Sequence, residues 1–342
     1  MGVIHPTDLA AWRRWQLSRQ PLSRRLKARI GSRAGRSQQP VTLAQRGTHP
    51  RVVAVLDSWS PSSRLSLWDP LDQVEGDVLV IAPGPPPDAP DWQVSPASPA
   101  EAMARIRANS VVLSSGHYLP LGHAAHQRCI ESGAAFVTVQ HGLMTPWAPP
   151  LAPRSTLLAW SADDGRFWAS GRGDVDLREV GSTLLWNAAQ QPMLPTEQSA
   201  PPVFLGQLHA AELPRRTILR VTETFCLEEQ AVYRPHPAEA DRASRRQHDV
   251  WERRGIHIDR SGQPLHELGA PVVSIFSTGV LETAARGGSA WVHHPDPPSW
   301  LSDFWARYGL SPWGQPPTPA PALPPTPPSS AIAHAVHGIL AT

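Results

Sequence analysis

Short apolar runs alternate with amphipathic stretches over most of the chain. From Arg51 the segments RVVAVLD, GDVLVIAP, SVVLSSG, AAFVTVQHG, STLLAWS and LREVG are apolar and rich in β-branched residues, as strands covered on both faces must be. Helical patterns such as Pro99 to Ala108 and His123 to Gly133 lie between several of them, and strands separated by helices predict parallel pairing. A polar stretch from Gln190 to Pro202 interrupts the alternation. It resumes with VFLGQLH, a helix through Cys226, QAVYRPHP, a charged helix from Ala238 to Arg254, GIHID, a short helix near Leu265, PVVSIFSTG, a helix to Arg286, and SAWVHHP. The pattern predicts an α/β protein of two doubly wound, Rossmann-like domains, with ligands bound at the carboxyl ends of the strands.

At 342 residues the chain exceeds the usual size of one core, so two domains are expected. The boundaries read as a basic amphipathic segment over 1–50, a first α/β domain over 51–190, a linker over 191–202, a second α/β domain over 203–314, and a proline-rich tether with a terminal helix over 315–342. Eight prolines between Gln315 and Ser330 favour extended polyproline II for the tether.

The first fifty residues hold ten Arg or Lys against the single acid Asp8. Within them, residues 7–30 place Leu9, Trp12, Leu17, Leu22 and Leu26 among arginines, with Thr7 as cap, Asp8 in the first turn and a break near Pro21. Such a helix either docks on the body with its charges in solvent or lies on an anionic membrane, where each basic residue adds about 1 kcal/mol. It lacks the interleaved lysines, aromatics and glycines of the standard nucleic-acid modules, and no specific nucleic acid is expected as a partner.

No apolar stretch approaches the roughly 20 residues needed to span a bilayer, and no apolar run follows Arg13 and Arg14 as a secretory signal requires. The expected location is the cytoplasm, with the inner face of the plasma membrane as a contact surface. Cys129 and Cys226 lack C-x-x-C spacing and fall in apolar helical stretches, so they read as free buried thiols. His293 and His294 have no third ligand at a suitable spacing; neither a metal nor a cofactor is expected.

Three segments carry candidate chemistry. In VQHG, His141 ends a strand beside Gly142, where the backbone turns sharply, and the long loop MTPWAPPLAP follows; an imidazole there can serve as general base toward a hydroxyl. It also reads as a histidine that merely bonds its own turn. In VYRPHP, prolines on both sides of His236 hold the backbone extended and aim Arg234 and His236 at phosphate oxygens, against the alternative of a solvent-facing turn. Ser277 and Thr278 cap a helix whose N-terminus attracts anions, with Glu282 one turn on and within reach of a ribose; an ordinary Ser/Thr cap is the competing explanation. Gly206, Gln207 and His209 follow VFLGQLH and offer backbone donors to the same phosphates. Ser58, Ser60 and the segment Ser114 to Tyr118 end first-domain strands and line the opposite wall, and Asp57 competes with His141 as the base.

Together, the HG of His141 and Gly142, the HP of His236 and Pro237, and the ST-x-x-x-E of Ser277, Thr278 and Glu282 resemble a group of bacterial surface-polysaccharide and teichoic-acid transferases. That group has the GT-B fold and includes CDP-glycerol glycerophosphotransferases and polysialyltransferase-like enzymes. The resemblance spans roughly residues 51–310. It implies two Rossmann-like domains facing a central cleft, with a metal-independent transferase activity. A sugar or glycerol phosphate would pass from a CMP- or CDP-type donor to a hydroxyl of a surface-glycan or lipid-linked acceptor. It further implies His141 as base or acceptor-site residue, His236 on the donor phosphate, and Ser277 with Thr278 on the nucleotide. A nucleotide-sugar epimerase of the same shape is one alternative; a non-catalytic two-domain protein binding nucleic acid or membrane through its Arg-rich start is another.

Overall fold

The computed structural model describes residues 2–19, 40–191 and 200–341. The chain forms two compact units, one from Met1–Leu184 with Pro324–Thr342 and the other from Leu185–Leu323.

The first unit is built on an eight-stranded sheet: β1 (Val41–Arg46), β2 (Val52–Val55), β3 (Val78–Ala82), β4 (Gln93–Ala97), β5 (Val111–Ser114), β6 (Ala135–Val139), β7 (Thr156–Ala159) and β8 (Asp176–Glu179). Their spatial order is β4-β1-β3-β2-β5-β6-β7-β8. Strands β2, β3 and β5 to β8 are parallel, whereas β1 runs antiparallel to both β3 and β4. Successive side chains leave a strand on opposite faces, so the apolar runs feed two cores. Val52, Ala54, Val78, Val80, Val111 and Leu113 enter one, while Val53, Val55, Leu79, Ile81 and Val112 enter the other with Met103, Ala125 and Cys129 of the covering helices Pro99–Ala104 and Pro120–Ser132.

The first of these cores is closed by the turns from Pro61 to Gln73 and by the terminal helix Pro328–Leu340, whose Ile332, Ala333, Ala335 and Val336 are buried in it. That helix is therefore part of the first unit and not an appendage beyond a tether. Nor does the segment before it hang free at its start. The Thr318 N–H bonds the Ala290 carbonyl, its hydroxyl accepts from the Ser311 N–H, and the Trp291 indole donates to the Gln315 carbonyl.

Four parallel strands, β9 (Val203–Leu205), β10 (Val232–Arg234), β11 (Val272–Ser274) and β12 (Ala290–Val292), form the second unit in the order β10-β9-β11-β12. Helices Arg215–Glu228, Arg242–Arg253, Thr278–Ala285 and Ser299–Arg307 connect and cover them. The chain passes from β9 to one neighbour, β10, and then crosses to the other, β11. The order thus reverses between β9 and β11, and the first unit has the same reversal between β2 and β5. Open α/β sheets bind ligands outside the strand ends at such a point.

Several details depart from the sequence reading. The structural division falls at Leu184 and again at Leu323, not in the stretch 191–202, whose residues 192–199 lie outside the described residues. Strand β1 belongs to the first sheet although it falls in the segment 1–50. GIHID makes only a bridge, Ile258 to Tyr233. The N-terminal helix Leu9–Arg19 is present and docked, its Trp12 buried and bonded to the Trp147 carbonyl. Its N-terminus is held by the Asp8 carboxylate, which accepts from the Ala11 N–H, and not by Thr7. The second helical piece expected after Pro21 lies outside the described residues. Among the described residues no helix is long and apolar enough to cross a membrane.

Candidate functional site

In the second unit, three loops meet at the carboxyl edge of the sheet. Gln207, buried just past β9, reaches across the switch point, and its side-chain oxygen accepts the Ile275 and Phe276 N–H groups at 3.1 and 3.0 Å. Those amides lead directly into Ser277 and Thr278. Two residues beyond Gln207, the His209 ring stacks on His236 with centroids 4.0 Å apart, tying in the loop after β10. The sequence-predicted residues of this unit therefore lie on linked loops, but they are not equally free to bind.

Ser277 is the N-cap of the helix Thr278–Ala285: its hydroxyl accepts from the Gly279 N–H and its carbonyl from the Val280 N–H. Two of the first amides are thus spent. The Thr278 hydroxyl is half-buried and has no protein partner among the described residues, so it is a free donor at this helix end. Glu282 is also half-buried without a hydrogen bond among the described residues; burial raises its pKa, and Arg286 only partly offsets this. His236 is exposed and accepts the Ala238 N–H on Nδ1 at 3.0 Å, which leaves Nε2 to carry the proton. Desolvation, reinforced by the His209 ring, holds its pKa down to about 4, so at neutral pH it is an uncharged hydrogen-bond donor.

The structure revises three of the roles expected in this unit. The Gly206 N–H donates to the Arg234 carbonyl at 2.7 Å, so it cannot serve a phosphate. A Cβ on Gly206 would lie 2.5 Å from the Tyr233 hydroxyl, and the glycine is there to admit that side chain. Gln207 is a cross-brace between loops. The Arg234 guanidinium donates to Asp259 at 2.9 Å and to the Gln263 carbonyl, a salt bridge that turns it toward a neighbouring loop.

In the first unit, His141 ends β6 with its Nε2 3.4 Å from the Tyr118 hydroxyl. Burial lowers its pKa, with the Val139 carbonyl acting the other way, and the ring is neutral at pH 7, as a general base must be. It lines a small depression with Ser62, Ser66, Gln140, Trp160 and Thr183. Ser62 is presented there by the turn Pro61–Ser63, and Ser66 by the next turn, widened to π geometry over Arg64–Trp68, a distortion that often accompanies function. Asp57 does not join this depression. Its two oxygens accept the Leu121 and Gly122 N–H groups at 2.7 and 3.0 Å, capping the helix Pro120–Ser132. Ser60 likewise caps the turn Pro61–Ser63.

Sequence reasoning placed Tyr118 only within a wall segment, and it missed Trp160 and, in the second unit, Tyr233, Glu239 and His248. The Y of SSGHY and the W of LLAWS follow strand ends, and that position was the available signal. Glu239 and His248 sit in segments with no motif. Among the described residues no group of three or more His, Cys, Asp or Glu is placed to hold a metal ion. Both cysteines are free and buried.

No protein-family model matches the chain, and no curated protein does. Among solved structures it is similar to the Methanocaldococcus jannaschii UDP-GlcNAc 2-epimerase bound to UDP-GlcNAc and UDP, at 10% identity over 85% of this chain and 93% of that one with a TM-score of 0.45. It is also similar to a glycotransferase of kitacinnamycin, at 13% identity over 86% and 92% of the two chains with a TM-score of 0.37. A third similarity is to S. aureus TarM, at 6% identity over 69% of this chain and 49% of that one with a TM-score of 0.38.

Proposed function

We propose that the protein is a metal-independent transferase that moves a sugar or glycerol phosphate from a CMP- or CDP-type donor to a hydroxyl of a surface-glycan acceptor. The observation that carries this reading is the carboxyl edge of the second unit. There a free hydroxyl at a helix N-terminus with a desolvated carboxyl group one turn along the same helix, and an exposed imidazole on a second loop, follow strand ends linked across a topological switch point. Thr278 and His236 suit phosphate oxygens; Glu282 suits the hydroxyls of a ribose. In the first unit, neutral His141 would take the proton of the attacking hydroxyl, with the Tyr118 hydroxyl orienting the ring. The leaving nucleotide phosphate would be stabilised by the helix end and the imidazole donor.

The test is calorimetric and thermal titration with CMP, CDP, UMP, UDP and GDP. A nucleotide at 100 times its dissociation constant should add about 2.7 kcal/mol of stability, and Thr278→Val and His236→Ala should each remove it. His141→Ala should leave nucleotide affinity intact and abolish transfer. If no nucleotide stabilises the protein, the reading fails.

A further inference from the structure

Three residues past His236, the carboxylate of Glu239 is 3% exposed. Its Oε1 accepts the Leu208 N–H at 2.8 Å and lies 4.0 Å from His209 Nδ1. Its Oε2 accepts the Tyr233 hydroxyl at 2.7 Å and stands 3.1 Å from His248 Nε2. These partners come from three separate places: the loop after β9, strand β10 and the helix Arg242–Arg253. Burial works to raise the pKa of this carboxyl, but the contacts from His209, His248, Tyr233 and Leu208 outweigh it and hold the group ionised, at about 2. A charge this deeply buried is retained only where its bonds are complete.

The geometry assigns Glu239 a role that no motif announces. We propose that it is the positioning residue of the second unit's ligand edge. From beneath the strand ends it anchors the loop bearing His209, and through the stack of His209 on His236 it sets where the His236 N–H points. The inference rests on the reading of this edge as the nucleotide site. Gly206 fits the same scheme, since a Cβ there would lie 2.7 Å from Glu239 Oε1 and would push the carboxylate off its partners. A glutamine at 239 would keep the volume but present an NH₂ to groups that are already donors.

The test compares wild type, Glu239→Gln and Tyr233→Phe by NMR titration of the His236 ring and by calorimetry with CDP and UDP. With the anchor lost, His236 should leave its stack and titrate closer to 6.5 than to 4, and nucleotide affinity should fall about tenfold. Tyr233→Phe removes one bond and should move both readouts the same way by less. A His236 titration that stays put would overturn the proposal. So would one that moves lower, the result of merely deleting a nearby negative charge. If Glu239→Gln does not fold, Tyr233→Phe decides by the same criteria. Should wild type bind neither nucleotide, the functional reading fails, while the His236 titration still decides the part played by Glu239.

Discussion

His117 gives the sharpest test of the physics of the first unit. The ring is 6% exposed, its Nδ1 has no partner, and it meets His126 edge-on with centroids 5.2 Å apart. Burial, then His126, His123, Arg13 and Arg172, lower its pKa from 6.5 to about 3. A histidine with a depressed folded pKa is neutral in the fold and takes up a proton on unfolding. Its penalty is therefore absent above the unfolded pKa and grows as pH falls from about 6.5 toward about 3. The slope is about 1.4 kcal/mol per pH unit, so lowering the pH from 7 to 5 should cost about 2 kcal/mol through this one side chain. For a unit of this size that corresponds to roughly 4–8 °C of melting temperature. His117→Phe keeps the ring and discards the titration. At pH 7 it should be no less stable than wild type, because an orphaned ring nitrogen is lost as well. At pH 5 it should melt roughly 4–8 °C higher than wild type. Other buried histidines titrate in both proteins, so the quantity to read by calorimetry is the difference between the two pH dependences. Equal losses from pH 7 to pH 5 in the two proteins would refute the reasoning.

Asp57→Ala should destabilise the first unit by about 1 kcal/mol in urea unfolding, the usual cost of a lost helix cap; an unchanged midpoint would remove Asp57 from that role. Glu282→Gln should raise stability at pH 7, since burial disfavours the charged form of Glu282, while nucleotide affinity measured by calorimetry falls. A destabilised Glu282→Gln would show that the carboxylate has a structural partner. Cys129 and Cys226, both pushed up to about 12 by burial, should resist a thiol-specific disulfide reagent until the protein is denatured; rapid native labelling would contradict this. Gln207→Glu can still accept the Ile275 and Phe276 amides but brings a negative charge to the proposed phosphate site, and CDP or UDP binding should weaken about tenfold or more; undiminished affinity would place the phosphates elsewhere.

The parallel strands were legible because apolar side chains must cover both faces, and runs such as VLVIA admit no other use. Strand β4 was not, because four of its five residues are exposed and it holds an edge, where backbone pairing with β1 and not burial keeps it in place. The helix Ser299–Arg307 buries Leu301, Phe304 and Trp305, but no capping side chain marks its start. The positions of the candidate residues at strand ends were readable from turn chemistry, whereas their partners were not. Asp57, Gly206, Gln207 and Arg234 carry the groups a ligand would want, and the fold uses those same groups on its own loops. Glu239 is the converse case: a glutamate among turn residues looks solvated until Tyr233, His248 and Leu208 are brought around it by β10, a helix and the loop after β9.

The two sheets solve one topological problem with opposite electrostatics. Asp57 lies two residues past β2 and Gln207 two residues past β9, each the first strand of its parallel array, and each reaches over the switch point to a pair of backbone amides. In the first unit the brace is a carboxylate, which satisfies the N-terminus of the helix Pro120–Ser132 and repels any further anion from it. In the second it is a neutral amide, placed before the helix Thr278–Ala285, whose cap is the neutral Ser277. A helix end already neutralised by its own acid has little left for a phosphate; one capped by a hydroxyl keeps its positive potential. The choice between Asp and Gln at one equivalent position therefore makes the second unit the more favourable of the two for the phosphorylated ligand proposed above. It leaves the first, with its neutral His141 and its serine-lined depression, better suited to an uncharged hydroxyl.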